Sequence, residues 1–470
     1  RISQLLILFF ITCIFYHIIF RITKSHHSSF FISILLALNP IVIYQSNTFQ
    51  PDIPYTLFVL FSFYYLNQYI YSFKIKHYFY GFFLCFLATL MKITGISILL
   101  TFSFCFFLFN QFHIKPLFIF LISLLFISLV PFLSHYFING GHNIQVQQFF
   151  ESLLNPQIFT IQRFLFYTIN SCLSLGLFVS PITIPASIGI NRFQNYPKHK
   201  NILSLVFFIF IILILIKIEL RTNIGFLGGG IEYLPFSGNS IYDLGIGPII
   251  MTGIFQNEIP GLPKLGSYFW LLISFVGAFG FISFLYLFLF MLKAYFISEN
   301  LNFNYSFIAA IFSVSISIIY LTPILLVYAN SKYLTPVIPL ILISSVSSIE
   351  FLKTRYLIGY NYNYNFSIII ALPLILFSIM GTHDYMTFNR TRWNALNYLT
   401  KVEKISPENI DGGFEFNEWH FSHLYTWRIT NDPNKKGRFW PVVNDKYIVT
   451  VTDIKGYNLY KKFQYQRFLP

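Results

Sequence analysis

Charged side chains are scarce in this chain. Asp, Glu, Lys and Arg make up 10% of its 470 residues, whereas hydrophobic residues make up 56%; an ordinary soluble domain is about 25% charged. Cysteine is also rare. The four cysteines stand inside apolar segments without a CxxC pair, so the sequence predicts neither a zinc site nor a disulfide framework. The scarcity of charge excludes a soluble globule.

Long apolar runs dominate what is present. Runs of about 17 to 25 residues match helices that cross a bilayer about 30 Å thick. We place them at 2–20, 30–46, 53–73, 78–91, 96–109, 116–136, 163–187, 201–219, 267–292, 305–327, 334–350 and 366–382. The sequence therefore predicts an all-α polytopic membrane protein with about 12 transmembrane helices, whose transmembrane domain covers residues 1–382.

The net charge of +14 is concentrated in short loops and in the C-terminal segment. The basic loops are 21–29, 74–77, 110–115, 191–200 and 351–365. All five fall on one side if every run crosses once, and the positive-inside rule makes that side cytoplasmic. This distribution predicts a multi-pass protein of the bacterial inner (plasma) membrane surrounded by membrane lipids, without a nucleic-acid partner.

The C-terminal segment 383–470 is more polar than the rest of the chain. We expect a small α+β extramembrane domain outside the cytoplasm, with a helix near 391–404 and a strand from Tyr447 to Thr452. Four of its side chains resemble metal ligands: Glu415, Glu418, His420 and His423. Their spacing fits no zinc signature, and polar side chains exposed to water are the favoured interpretation. No metal or other cofactor is therefore predicted.

The loop 220–266 lies on the side opposite the basic loops. It contains Gly228, Gly229 and Gly230, followed by Pro235 and Gly238. This composition is typical of a mobile loop over a site, and a plain linker is the alternative interpretation.

Asp52 is the only carboxylate in the first 150 residues. It follows Pro51 between two apolar runs, on the predicted outer side. Asp before Ile53-Pro54 can cap a helix N-terminus. A carboxylate at a membrane interface also marks a substrate, ion or proton site. The two interpretations are compatible, and Asp52 is our candidate catalytic residue.

Lys92 lies in the middle of an apolar stretch that is long enough for two short crossings. We expect it at the turn between them, on the side of Asp52. A lysine buried there needs an anion, which is either Asp52 or a ligand phosphate. A lysine whose ammonium reaches the interface is the alternative.

A third polar element is the segment containing Lys332 and Tyr333, followed by Pro336 and Pro339. The prolines break the first turns of a membrane helix, and broken helices expose backbone groups that usually line a cavity. Lys332 with Lys92 gives two cations near Asp52, which suits a phosphate leaving group beside a carboxylate base. Interfacial anchoring explains Lys332 and Tyr333 equally well.

Taken in this order, the elements resemble the polyprenol-phosphate-sugar transferases of the glycosyltransferase C superfamily, the branch of the protein O-mannosyltransferases and lipid A aminoarabinose transferases. The resemblance rests on Asn39-Pro40 with Pro51-Asp52, the turn Leu90 to Gly95, Lys332-Tyr333 with Pro336 and Pro339, and the C-terminal segment. It covers nearly the whole chain in layout, but only about 30 residues in motif.

The resemblance implies inverting transfer of a hexosyl or pentosyl group from a polyprenyl-phosphate sugar. The acceptor would be a lipid, glycan or protein at the outer membrane face. Asp52 would match the acid of the second outer loop, and Lys92, Lys332 and Tyr333 would contact the donor. No further cofactor is implied, and a divalent metal has no support in the sequence.

The chain departs from the family pattern at its start. The family opens with a helix and a first outer loop that carries the principal acid, whereas this chain begins at what resembles the second helix. We therefore expect a missing upstream helix, about 13 in all. Glu151, Glu232 and Asp243 are reserve acids in the later outer loops before the C-terminal segment.

Three other classes remain open at this point. A secondary transporter or flippase would use Asp52 and Lys92 as an ion or proton relay. An O-antigen polymerase or ligase would depend on arginines in a large outer loop, whereas 220–266 contains only Arg221. A non-enzymatic scaffold would depend on none of the charged residues.

Overall fold

The structure is a computed structural model. It describes residues 2–48, 50–109, 118, 121–122, 125, 129, 161–193, 241–242, 245–247, 251, 267–297, 304–327, 331–356, 362, 364–421, 442–451 and 453–469. These residues are mostly helical, which confirms the predicted class of fold.

The N-terminal part consists of helices joined by short turns. Its elements are α1 (Ile2–Thr23), α2 (His26–Ala37), α3 (Pro40–Ser46), α4 (Asp52–Ser72), α5 (Ile75–Met91), a 3-10 turn (Ile93–Gly95) and α6 (Ile96–Phe109). The Asn39 side chain caps α3 by accepting the Ile41 N–H at 3.0 Å, and Pro40 occupies the first turn, where a missing N–H has no cost.

The remaining elements follow after residue 160. They are α7 (Ile161–Phe193), β1 (Ile241–Tyr242), β2 (Gly245–Ile246), α8 (Ser267–Ile297), α9 (Tyr305–Val327), a 3-10 turn (Ser331–Leu334), α10 (Val337–Tyr356), α11 (Tyr364–Asn397), a π turn (Tyr398–Val402), a 3-10 turn (Pro407–Asn409), β3 (Ile410–Asp411), α12 (Phe414–Phe421) and β4 (Tyr447–Ile448).

Six helical segments are long and apolar enough to cross a membrane. They are Ile2–Thr23, Phe164–Ile190, Leu272–Ile297, Tyr305–Leu326, Val337–Arg355 and Tyr364–Val402. Together α2 and α3 make a seventh, bent by 63° at the break between them. The chain is an integral membrane protein. The expected number of about 12 spans stays a prediction, since the run 201–219 and most of 116–136 lie outside the described residues.

Helix α4, expected as the span 53–73, is not among those six segments. Its tyrosines and the pair Asn67-Gln68 make it less apolar than its neighbours. It packs against α1, α5, α6 and α9, and its Phe63 ring stacks on Phe312 of α9 at 5.3 Å. A helix enclosed by other helices tolerates polar side chains that lipid would disfavour.

The backbones of α7 and α8 approach each other closely at their glycines. A Cβ added at Gly176 would lie 2.0 Å from the Gly277 carbonyl oxygen, so only glycine permits this approach. Thr183 donates to the Gly280 carbonyl across the same interface at 3.0 Å. Small residues with a hydroxyl hydrogen bond are a common way to join membrane helices.

The C-terminal segment continues directly from the membrane bundle, because α11 runs through residues 382 and 383 without a break. The helix expected near 391–404 is the end of α11 with its π turn. The expected strand forms at Tyr447–Ile448, where it pairs in parallel with Ile410–Asp411. The domain boundary at 382/383 stays a prediction.

The last residues of the chain return to α11. Both oxygens of the fully buried Asp384 carboxylate accept backbone N–H groups, from Phe468 at 2.9 Å and from Leu469 at 2.8 Å. The His383 ring packs on Phe468 with centroids 4.3 Å apart. These contacts fix the end of the C-terminal segment to the helix.

Only a small part of the loop 220–266 is described. Its strands β1 and β2 form an antiparallel pair, and β2 packs against α11 and α3. A Cβ added at Gly247, where φ is 155°, would meet the Tyr385 ring at 2.4 Å. The glycines Gly228, Gly229, Gly230 and Gly238 lie outside the described residues, and a role as a lid stays a prediction.

Candidate functional site

Asp52 is the first residue of α4, directly after the N-cap residue Pro51. It is 2% exposed. Pro51 makes no side-chain cap bond, and the bond that Asp52's carboxylate makes within the described part is to a lysine, not to a helix N–H. The capping interpretation therefore does not explain this side chain.

Lys92 ends α5 in an extended conformation, with φ −146° and ψ 129°. The chain then reverses through the turn Ile93–Gly95, in which the Gly95 N–H donates to the Lys92 carbonyl at 2.8 Å. A Cβ at Gly95 would lie 2.6 Å from the Thr89 backbone nitrogen. Glycine therefore lets the turn close against α5, and this closure sets the position of Lys92.

The Lys92 ammonium binds the Asp52 carboxylate, with Nζ and Oδ1 2.5 Å apart. The Asp52 side chain is 3% exposed and the Lys92 side chain 19%. The predicted partner of Lys92 is thus present in the structure. A pair withdrawn from water interacts more strongly than a surface pair, and losing either member would leave the other charge buried.

Lys332 and Tyr333 lie in the turn Ser331–Leu334 between α9 and α10. The ammonium groups of Lys332 and Lys92 lie 5.4 Å and 5.6 Å from the centre of the Tyr333 ring. Burial lowers the pKa of Lys332; the Asp52 carboxylate opposes this shift and the Lys92 cation adds to it. The structure thus brings together all four residues that the sequence singled out.

Tyr55 also lies beside Lys92, although the sequence did not single it out. It is fully buried, and its ring lies 5.7 Å from the Lys92 ammonium. Its hydroxyl accepts a hydrogen bond from Thr94 at 3.4 Å, and its ring stacks on Tyr320 at 6.1 Å. The spacing of three residues after Asp52, which puts both on one helix face, was the available signal.

The other candidate ligands that the structure describes do not join this site. Glu151, Glu232, Asp243 and His423 lie outside the described residues. Glu415 binds Arg392, and His420 packs on Phe416 with ring centroids 4.6 Å apart. Across the described ranges, no group of three His, Cys, Asp or Glu side chains is arranged to hold a metal ion.

The arrangement combines one carboxylate with two cations and aromatic rings. A carboxylate can accept a proton from an attacking hydroxyl. Ammonium groups in a site shielded from water stabilise negative charge on a departing phosphate. Tyr55 and Tyr333 offer aromatic surfaces beside the cations. These are the groups that displacement of a phosphate requires.

Comparison with known protein families gives a match to the first part of the chain. Residues 1–135 match the family described as dolichyl-phosphate-mannose-protein mannosyltransferase. The matched segment contains Asp52 and Lys92 but not Lys332 or Tyr333. No curated protein and no solved structure matches the chain. Over residues 1–135 the chain is similar to these mannosyltransferases, which supports its predicted resemblance to the glycosyltransferase C superfamily.

Proposed function

We propose that the protein is an inverting membrane glycosyltransferase that transfers a sugar from a polyprenyl-phosphate donor to a hydroxyl of a lipid, glycan or protein. The buried Asp52–Lys92 pair within the segment that matches the mannosyltransferase family is the observation that carries this proposal. Mannose is the first sugar to test, because the matching family is described by it.

The reaction is a single displacement at the anomeric carbon. The acceptor oxygen bonds to that carbon while the bond from carbon to phosphate oxygen breaks. The acceptor proton passes to Asp52, and the electron pair of the broken bond stays on the phosphate. Lys92 and Lys332 stabilise the phosphate as its charge increases. The reaction then leaves a polyprenyl phosphate and an inverted glycoside.

In this proposal the ion pair opens during the reaction. In the structure the Lys92 ammonium binds the Oδ1 atom of Asp52. A donor phosphate competes for the same ammonium, and the flexible lysine stem allows the exchange. Binding of the donor would thereby free Asp52 to accept the proton, which couples the base to the presence of its substrate.

Transfer of radiolabelled mannose from polyprenyl-phosphate mannose, in membranes that contain the chain, tests this proposal. We expect transfer by the wild type and its loss in Asp52→Asn. A matched control is Glu350→Gln, because Glu350 pairs with Lys353 at 3.6 Å within α10, away from the site. Normal transfer by Asp52→Asn would contradict the role of Asp52. Failure of the wild type with mannose and with other sugar donors would contradict the enzyme class and favour transport.

A further inference from the structure

Gln45 is a fully buried side chain in α3 whose carboxamide is unsatisfied. Neither its nitrogen nor its oxygen has a hydrogen-bond partner among the described residues. A buried amide without partners is costly, and native structures contain few of them. Such a group needs a structural or functional reason.

The polar residues around Gln45 are satisfied within the same segment. The hydroxyl of Ser46 donates to the Ile43 carbonyl at 2.7 Å, and Asn47 donates to the same carbonyl at 2.8 Å. Thr48 donates to the Gln45 backbone carbonyl at 2.9 Å. The unsatisfied amide therefore does not reflect generally poor packing of this segment.

Helix α3 lies next to the candidate site. It packs against α4, which begins at Asp52, and against the turn Ser331–Leu334. Five residues connect Ser46 with Asp52. Within this connection the buried Gln50 side-chain oxygen also has no hydrogen-bond partner in the described part of the chain. One glutamine with an unsatisfied side chain thus lies in α3, and a second lies in the connection that leads to Asp52.

A carboxamide has the chemistry to bind a sugar. It presents one acceptor and two donor hydrogens in a plane, and each hydroxyl of a pyranose both donates and accepts. When the donor phosphate contacts Lys92 and Lys332 and its anomeric carbon lies beside Asp52, the remaining hydroxyls have to be bound by neighbouring polar groups. Gln45 is such a group, on an element that touches both sides of the site.

We infer that Gln45 binds hydroxyl groups of the donor sugar. It thus recognises the sugar and not the lipid phosphate. This inference rests on the proposed transferase function. Because the amide is enclosed in the structure, the sugar has to displace neighbouring side chains to reach it. The unsatisfied amide favours that displacement, since its hydrogen bonds are completed only when the sugar is bound.

Two lipids separate binding of the sugar from binding of the phosphate. One is polyprenyl-phosphate mannose, and the other is polyprenyl methyl phosphate, which carries the same single charge without a sugar. We expect the purified wild type to bind the mannose lipid about tenfold or more tightly. Gln45→Met should lose that preference and keep its affinity for the methyl phosphate. A hydrogen-bonding site discriminates strongly against a ligand that lacks the matching hydroxyls.

Thermal unfolding without lipid adds a second measurement. Gln45→Met should unfold at a higher temperature than the wild type, because it removes an unsatisfied buried amide. The matched control is Gln68→Met. Gln68 is equally buried, but its amide donates to the Tyr305 hydroxyl at 3.1 Å. This control should unfold at a lower temperature and keep the preference for the mannose lipid.

The outcomes distinguish this inference from the proposed function. If Gln45→Met keeps the wild-type preference for the mannose lipid, or if the wild type has no preference, Gln45 does not bind the sugar. The proposed transferase function would still stand in that case if transfer depends on Asp52. If the wild type binds neither lipid and transfers no sugar, the proposed function fails and this inference fails with it.

Discussion

Two buried aspartates in this protein have opposite surroundings. Asp52 is 2% exposed and binds the end of a lysine side chain. Asp384 is 0% exposed, accepts two backbone N–H groups and lies 3.1 Å from the His383 Nδ1 atom. The partner of Asp52 can rotate away, whereas Asp384 is also bound by two main-chain groups that move only with the C-terminal segment.

The difference separates a reactive carboxylate from a structural one. A lysine ammonium on a flexible stem can exchange one anion for another. Backbone N–H groups that bind a carboxylate hold it in one position. Burial alone therefore does not identify a functional acid in a membrane bundle. The nature of the partner separates the two aspartates, and replacing each of them tests that distinction.

The largest expected effect is that replacing the two aspartates changes different properties of the protein. Replacing Asp52 should mainly affect transfer, and replacing Asp384 should mainly affect stability. Asp52→Asn should lower transfer by a factor of about 100 to 10,000, the range of a lost general base. Its loss of stability should be small, because the Lys92 side chain left without its carboxylate is 19% exposed and its ammonium can reach water. Asp384→Asn should keep transfer within about threefold, but destabilise the protein by about 1.5–3 kcal/mol because a charge-assisted hydrogen bond is lost. Transfer rates and thermal unfolding in detergent measure both effects.

The comparison would fail if the two variants behaved alike. Limited proteolysis gives an independent check on Asp384. Release of the segment after residue 442 should become faster in Asp384→Asn only, because that carboxylate binds the backbone of Phe468 and Leu469.

The next effect concerns the partner of Asp52. Lys92→Ala should reduce transfer about 100-fold, since one cation for the phosphate is lost. It should also lower the unfolding temperature, because Asp52 is left as an unpaired buried charge. In Asp52→Asn/Lys92→Met the unfolding temperature should recover, but not the transfer. Additive losses of stability in this double variant would show that the pair does not act as a unit.

A smaller effect is expected at the turn that carries Lys92. In Gly95→Ala the new Cβ would lie 2.6 Å from the Thr89 nitrogen and 2.8 Å from the Ala88 carbonyl carbon. Because these are backbone atoms, the turn has to shift and move Lys92. We expect about a tenfold loss of transfer, measured at equal expression. Gly456→Ala is the control, because its backbone strain at φ 89° arises in the C-terminal segment and no atom lies within 4 Å of the new Cβ. Unchanged transfer in Gly95→Ala would show that the position of the turn is not critical.

The smallest effect is the dependence of donor binding on pH. Burial lowers the pKa of Lys332, so its ammonium loses its proton at a lower pH than an ordinary lysine. The kcat/KM for the donor should therefore fall as the pH rises, and begin to fall below the usual lysine pKa of about 10.4. Lys332→Arg remains charged and should remove this decline. An identical pH profile in both proteins would assign the decline to another group.

Particular residues show how far the sequence could predict the site. Asp52, Lys92 and Lys332 stood out because charge is rare in apolar surroundings, where a charged side chain needs a partner. Tyr55 and Gln45 did not stand out, because the chain contains 32 tyrosines and a polar residue inside a helix is not unusual by itself. Their burial and hydrogen bonding depend on neighbours from other helices.

The fold also has features that the sequence predicts and features that it does not. The apolar runs predicted α1 and α8 to α10 well, because each run is long enough to span a bilayer by itself. The break between α2 and α3 was missed, although Asn39-Pro40 is a helix start signal. The continuity of α11 through residue 383 was missed as well, since a change of composition marks a change of solvent and not the end of a helix.

The sequence by itself determined that the chain is a helical membrane protein, and it determined where the rare charges lie along the helices. The free energy of transfer from water to lipid depends on the side chains of each helix separately, so hydropathy predicts the spans one segment at a time. Only the tertiary structure decided that Asp52 meets Lys92, 40 residues away, and that Asp384 holds the backbone 84 and 85 residues away. Such pairs depend on how separate helices pack, and no local property of either segment records that packing.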